Sequence, residues 1–307
     1  MKTVVLGSLN IDRTYRVNAF VRPKETSAAK EFSLNCGGKG YNQAVALARA
    51  GAEVHFAGAI GEDGELLWKG LKENGIHTEF LKKSSLPNGH AVIQVNDDGE
   101  NCIIIVQGSN GEIDRDYIDK VLNSCSGEEL LLFQNEVPNV DYAIEQAHKR
   151  GLRIAFNPSP ITDAVNACKL EYVDILLVNE VEGEALGGES DSDSILKALH
   201  AMYPHMNIVL TLGGEGSCFI APDGKQMRCK AVPSAVVDTT AAGDTFTGFF
   251  LTEFCSSGNA EEALRFASAA SSIAVSRNGA AQSIPTRAEA VEVSLEAKYG
   301  NGESEGK

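Results

Sequence analysis

The sequence predicts an α/β fold: three α/β/α layers about a doubly wound, mostly parallel sheet, with a small β-sheet lid projecting from it. Three observations lead there. Short, continuous apolar runs alternate with amphipathic stretches along most of the chain, the pattern of a parallel sheet covered by helices on both faces. Two β-rich segments interrupt that order. The chain then ends on long alanine-rich stretches with a helical period.

In order along the chain, residues 3–6, 53–60, 130–134, 153–157, 174–178 and 208–212 read as buried strands, since each is short and mostly apolar. Residues 41–50, 66–73, 140–150 and 192–203 repeat apolar side chains every three or four positions and read as the intervening helices. Residues 245–255 and 260–277 read as two longer helices. Residues 12–33 are strand-like but partly polar. Residues 90–106 alternate about Asp97-Asp98-Gly99, a hairpin signal. These last two segments are expected to pair as the lid. The division is then a discontinuous core of residues 1–11, 34–89 and 107–300, a lid of 12–33 and 90–106, and a disordered polar tail at 301–307.

A chain of 307 residues with 43% hydrophobic content can bury one large core. No apolar stretch is long enough to cross a bilayer, and the N-terminus lacks a signal-peptide layout. No membrane partner and a cytoplasmic location are therefore expected. The seven cysteines are scattered without a C-x-x-C pair and read as reduced thiols. None of the six histidines sits in a metal-ligand spacing, so no zinc site is expected. A net charge of −15 argues against nucleic acid as a partner. Any nucleotide site must then build its positive potential from backbone N–H groups and a few cations.

The segment D-T-T-A-A-G-D-T-F-T-G at 238–248 carries the chemistry. Small residues Ala241, Ala242 and Gly243 precede an apolar helical run, so a tight loop opens directly into a helix. The free N–H groups of such an opening bind anions. Asp244 sets a carboxylate beside that anion, which disfavours binding but suits a base that takes a proton from a hydroxyl during phosphoryl transfer. The competing reading makes Asp244 a helix N-cap. Two other phosphate-binding designs are excluded. Gly7-Ser8-Leu9-Asn10 lacks the three-glycine dinucleotide turn, and Gly38-Lys39 lacks the remainder of a Walker A loop.

The run Asn35-Cys36-Gly37-Gly38-Lys39-Gly40-Tyr41-Asn42-Gln43-Ala44, together with the 238–248 loop, resembles the two signatures of the ribokinase-like (PfkB) sugar kinases. Gly7–Asp12, Asn179–Glu182 and Thr211–Gly216 agree with that family in the same order, over roughly residues 3–285. Within the family the pattern is most similar to the ribokinase branch. The resemblance implies transfer of the ATP γ-phosphoryl to the primary hydroxyl of a pentose, with D-ribose the first expectation. Another sugar or a nucleoside is the alternative, and a catalytically weak sugar-binding regulator the alternative of another class. It implies Asp244 as base, an anion hole at Ala241, Ala242 and Gly243, and sugar contacts at Asn10, Asp12, Gly38, Lys39, Asn42, Glu136 and Asp244.

It further implies ATP along Asn179, Thr211, Gly213 and Gly216, and Mg²⁺ organised through water by Glu182. A K⁺ site is implied at Asp238, Thr240, Ala274, Arg277, Gly279 and Ser283, and a homodimer formed through the lid. Two positions depart from the branch: Tyr41 stands where Ala is usual, and Asn135 where an apolar residue is usual. A bulky Tyr41 near the pocket would narrow or reshape it.

Overall fold

The computed structural model describes residues 1–299, so the tail at 301–307 lies outside the described residues. Its strands, in chain order, are β1 (Lys2–Leu6), β2 (Asn10–Arg16), β3 (Glu31–Gly37), β4 (Glu53–Ile60), β5 (His77–Lys83), β6 (Gly89–Val95) and β7 (Asn101–Val106). They continue with β8 (Leu130–Gln134), β9 (Arg153–Asn157), β10 (Ile175–Asn179), β11 (Asn207–Thr211), β12 (Ser217–Ile220) and β13 (Gln226–Cys229). The helices are α1 (Lys39–Ala50), α2 (Glu65–Glu73), α3 (Arg115–Leu122), α4 (Val140–Lys149), α5 (Glu180–Gly187), α6 (Ser192–Met202), α7 (Ala242–Ser257), α8 (Ala260–Val275) and α9 (Arg287–Tyr299).

Nine strands make the large sheet, in the order β13-β12-β11-β10-β9-β8-β1-β4-β5. All its pairings are parallel except those that add β12 and β13. Successive residues of each central strand serve opposite layers. Val5, Leu132, Leu177 and Val209 pack with α1, α7 and α8, whereas Val4, Leu131, Leu176 and Ile208 pack with α3, α4 and α6. Both faces are thus covered, which is why these strands read as unbroken apolar runs. Complete burial of each such side chain stabilises the fold by about 1.5–3 kcal/mol.

The large sheet contains three strands that the apolar-run criterion passes over. β5 is a half-exposed edge strand rich in polar residues, and β12 and β13 have only four residues each. Helix ends shift as well: α7 starts at Ala242 rather than 245, and α8 stops at Val275 rather than 277. Helices α1 and α7 cross closely. A Cβ on Gly248 would lie 2.4 Å from the Ala46 Cβ and 2.6 Å from the Leu47 nitrogen, so only glycine fits there. That crossing sets the first turn of α7 against the first turns of α1.

The small sheet has the order β3-β2-β6-β7, with β2 and β6 parallel and the outer pairs antiparallel. It is wider than the segments 12–33 and 90–106, since β2 begins at Asn10 and β3 runs on to Gly37. Asn96 closes the hairpin by accepting the Glu100 N–H at 2.8 Å, with Gly99 at φ 81° in the turn. Among the described residues no helix is long and apolar enough to cross a membrane.

Candidate active site

The polar residues of interest gather at one rim, where the parallel strands end. Gln134, Asn157, Asn179 and Thr211 are the last residues of β8, β9, β10 and β11. The turn after β1 leads through Ser8 and Leu9 into Asn10 at the start of β2. Crevices at the carboxyl ends of such sheets are where α/β folds take ligands.

Asp244 lies at the centre of this rim, buried at 6% exposure. It is not the N-cap of α7: that position is Ala241, and Asp244 sits within the first turn. Its two oxygens are held separately. Oδ2 accepts from Asn42 Nδ2 at 3.0 Å and Oδ1 from Gln43 Nε2 at 2.9 Å. The same Gln43 amide donates to Asn157 Oδ1 at 2.9 Å, and its oxygen accepts from Gln134 Nε2 at 2.7 Å. Asn157 in turn donates to the Leu177 carbonyl at 2.9 Å. A carboxylate anchored through buried amides on two strands keeps one orientation and remains an acceptor. Beside it, a Cβ on Gly243 would meet no atom within 4 Å, so the space over the helix opening is free for a ligand. The Ala242 N–H is engaged by the Thr239 carbonyl at 3.2 Å.

On the side of the small sheet, Asp12 projects from β2 over the same rim. The empty side of Gly37 receives its carboxylate: a Cβ there would stand 2.1 Å from Asp12 Oδ2. Burial, with a lesser contribution from nearby Glu136, pushes the Asp12 pKa up to about 7. Glu136 accepts from the Ser8 hydroxyl and from the Lys39 backbone N–H, the latter at 2.7 Å. Its pKa is also raised, by burial first. Burial opposes the charge of Lys39, yet the carboxylates of Asp244, Glu136 and Glu182 outweigh it and shift the pKa upward. The ammonium is therefore a fixed positive centre among three acids. Asn10 is buried and held by Asn110 Nδ2 at 2.8 Å. The Asn42 carbonyl oxygen is buried without a hydrogen-bond partner among the described residues, an acceptor ready for a hydroxyl.

The nucleotide candidates sit beyond Gly243. One cavity is lined by Lys39, Asn157, Asn179, Glu182, Thr211, Gly243 and Asp244 among others. A second, of about 500 Å³, shares Thr211 and Gly243 and continues past Gly213 and Gly216 to Val232, Val236 and Phe246. The two therefore join at the opening of α7. Glu182 does not lie on a solvated face. It is 3% exposed and closes a capping box with Asn179, accepting the Asn179 N–H at 3.0 Å while Asn179 Oδ1 accepts the Glu182 N–H at 2.9 Å.

The loop before α7 is tied by Asp238. Its Oδ1 accepts from the Thr240 N–H at 2.9 Å and from the Thr240 hydroxyl. Oδ2 accepts from the Gly279 N–H at 2.9 Å. The Ala274 carbonyl accepts from the Arg277 N–H at 3.1 Å, and the Ser283 hydroxyl donates to the Ala280 carbonyl at 2.7 Å. Arg277 lies beyond α8 and pairs with Glu289 of α9 at 2.5 Å. Asp238, Thr240 and Gly279 are thus brought together directly, and the Asp238 N–H donates to the Val275 carbonyl at the end of α8 at 3.1 Å.

Tyr41 does not narrow the site. It is 2% exposed in the core under α2, where its hydroxyl fills the space beside Gly70. Asn135 ties β8 to the loop after β9, donating to the Pro160 carbonyl at 2.7 Å and to Thr162 Oγ1 at 2.8 Å. Sequence reasoning passed over Gln43, Gln134, Asn157, Asn110 and Ser8. Signals for some of them existed. Lys39, Asn42 and Gln43 lie at i, i+3 and i+4 on one helix face, and Gln134 and Asn157 each close an otherwise apolar strand.

Comparison with known proteins agrees with this geometry. The ribokinase of Haemophilus influenzae is 36% identical over 297 residues, covering 94% of this chain and 96% of its own. The ribokinase of Cryptococcus neoformans, solved with ADP, superposes with a TM-score of 0.83 at 32% identity, covering 95% of this chain and 99% of its own. The Arabidopsis thaliana ribokinase complexed with ribose and ATP gives the same TM-score at 31% identity, covering 95% and 98%. The model of the pfkB family carbohydrate kinases matches residues 1–287. With its base candidate, its joined cavities and this match over nearly its whole length, the chain belongs to the pfkB family of carbohydrate kinases.

Proposed function

We propose that the protein is an ATP-dependent ribose kinase, which moves the γ-phosphoryl group to the primary hydroxyl of D-ribose to give ribose 5-phosphate and ADP. The observation that carries this reading is Asp244, a buried carboxylate held at both oxygens that lines the cavity sharing Thr211 and Gly243 with the larger one. The relatives named ribokinase, one of them solved with ribose and ATP, support the choice of substrate. Asp244 Oδ takes the hydroxyl proton as the new O–P bond forms. The N–H groups of Ala241, Ala242 and Gly243, with the Lys39 ammonium, stabilise the charge on the transferred group. For Ala242 this requires release from the Thr239 carbonyl, a long bond that a small loop movement would break.

Asn10, Asp12, Gly38, Lys39, Asn42 and Glu136 bind the sugar, and the unpartnered oxygen of Asn42 supports that role. Asn179, Thr211, Gly213 and Gly216 line the ATP side. Glu182 would hold Mg²⁺ through water, and the ion would supply positive charge against the phosphates. The buried setting of Glu182, beside Lys39 and Asp244, fits that role.

Asp238 and the oxygens of Thr240, Ala274, Arg277, Gly279 and Ser283 would hold K⁺, ordering the loop that bears the anion hole. An all-oxygen set with one carboxylate suits such a cation. The small sheet acts as a lid that excludes water. Its strand β7 is a free edge carrying Ile103, Ile104 and Ile105 at 50–61% exposure, which supports pairing of two lids in a homodimer. The test is a coupled kinase assay over ribose, 2-deoxyribose, fructose and adenosine in K⁺ buffer, with the product identified by NMR. Ribose is expected to give the highest kcat/KM. A nucleoside or hexose preferred over ribose would overturn the proposal.

A further inference from the structure

We propose a further metal site, distinct from the kinase site: Glu53, His55 and His77 form a binding site for one divalent ion of the zinc class. It lies at the start of β4 and β5, the end of the sheet opposite the catalytic rim. Parallel pairing sets His55 directly beside His77, and their rings stack at 4.4 Å with an interplanar angle of 13°. One ligand atom from each of the three residues lies within 4.8 Å of the others. His55 Nε2 and Glu53 Oε1 are already 3.2 Å apart, close to the roughly 3.4 Å between neighbouring ligands of a tetrahedral ion with bonds of about 2.0–2.1 Å. His77 is exposed, so its ring can turn to complete the set.

The surroundings of His55 point the same way. The ring is largely buried, at 9% exposure, yet each of its nitrogens faces a carboxylate: Nδ1 faces Glu79 and Nε2 faces Glu53. A neutral imidazole has one N–H, so one of those contacts would set lone pair against lone pair. A second proton or a metal ion relieves this. Two histidines and a carboxylate are a zinc ligand set with water in the fourth place. Glu79 then occupies the usual outer position, accepting from the far ring nitrogen and fixing the tautomer. The expectation of no zinc site rested on the spacing of the histidines, and His55 and His77 meet only across strands. Bound there, the ion clips the edge strand β5 to β4 next to the register shift between His55 and Ala57, and it stabilises the folded chain by mass action.

The experiment uses the full-length, tag-free protein, stripped with chelator and kept reduced. Zn²⁺ is titrated by calorimetry, and Co²⁺ is bound as the optical probe. One equivalent of Zn²⁺ is expected to bind and raise Tm, and Co²⁺ to show tetrahedral bands without thiolate charge transfer. His77→Ala and Glu53→Gln, both at exposed positions, each weaken binding tenfold or more, and Glu79→Gln weakens it about 10–100-fold. Kinase turnover in all three stays at the wild-type level. No Zn²⁺ binding, binding that survives His77→Ala, or a thiolate signature from Co²⁺ would overturn the proposal.

Discussion

At the scale of single residues, the site rests on how buried polar groups are partnered. Asp244 is oriented by two side-chain amides, so Asp244→Asn should lower turnover by about 10²–10⁴ with a much smaller change in sugar affinity. Near-wild-type turnover in steady-state assays would remove Asp244 as base. Gln43→Leu takes away two donated bonds and leaves the amide of Gln134 facing a methyl group. A stability loss of about 1–3 kcal/mol is expected, with a fall in kcat larger than any rise in KM. Denaturant melts and kinetics on the one variant check both. Asp12 gives a pH signature. Its folded pKa of about 7 lies above the ordinary 3.8, so the folded chain keeps a proton that the unfolded chain gives up. The stability contributed by that proton is present below pH 3.8 and is lost as pH rises to about 7. Asp12→Asn should flatten this fall, as read from denaturant midpoints across the window. An unchanged slope would mean that Asp12 titrates normally.

At the scale of elements, the loop into α7 and the edge of the small sheet each carry an expectation. Asp238 joins Thr240 to Gly279 through three hydrogen bonds. Asp238→Ala is therefore expected to abolish any difference in rate between K⁺ and choline at equal ionic strength. A K⁺ response that persists in the variant would put the cation elsewhere. In the small sheet, register sets Asp12, Asn35, Ala91 and Ile105 on one face, and Arg13, Leu34, Val92 and Ile104 on the other. The first face overlooks the site, where Gln282 from the loop after α8 donates to Asn35 at 2.6 Å. Replacing Ile104 with Lys adds a charge to the outer apolar face away from the sugar. It should shift a lid-mediated dimer to monomer in sedimentation without changing the mass of the folded protomer. A wild-type chain that sediments only as monomer at micromolar concentration would count against the dimer.

At the scale of the whole molecule, a chain of net charge −15 keeps one buried lysine, Lys39, among the acids beside the opening of α7. The first turn of α7 is held in place by the neighbouring layers, through α1 and the ends of β8 and β9. The order of residues alone is enough to read the α/β class, the hairpin at 90–106 and the position of Asp244. Burial on both sheet faces writes unbroken apolar runs, turn chemistry writes Asp97-Asp98-Gly99, and a helix opening for anions writes Ala241-Ala242-Gly243. Those signals are local. Strands β5, β12 and β13 stayed illegible because short or edge strands have no apolar run to show. Contacts between distant segments are decided by packing. The crossing at Gly248 brings Gln43 to Asp244, 201 positions away in the chain. The core beneath α2, and not the pocket, takes up the bulk of Tyr41. Strand register sets His55 beside His77. Partners joined across layers leave no spacing in the chain to read, because their distance is set by how helices and strands stack rather than by how many residues lie between them.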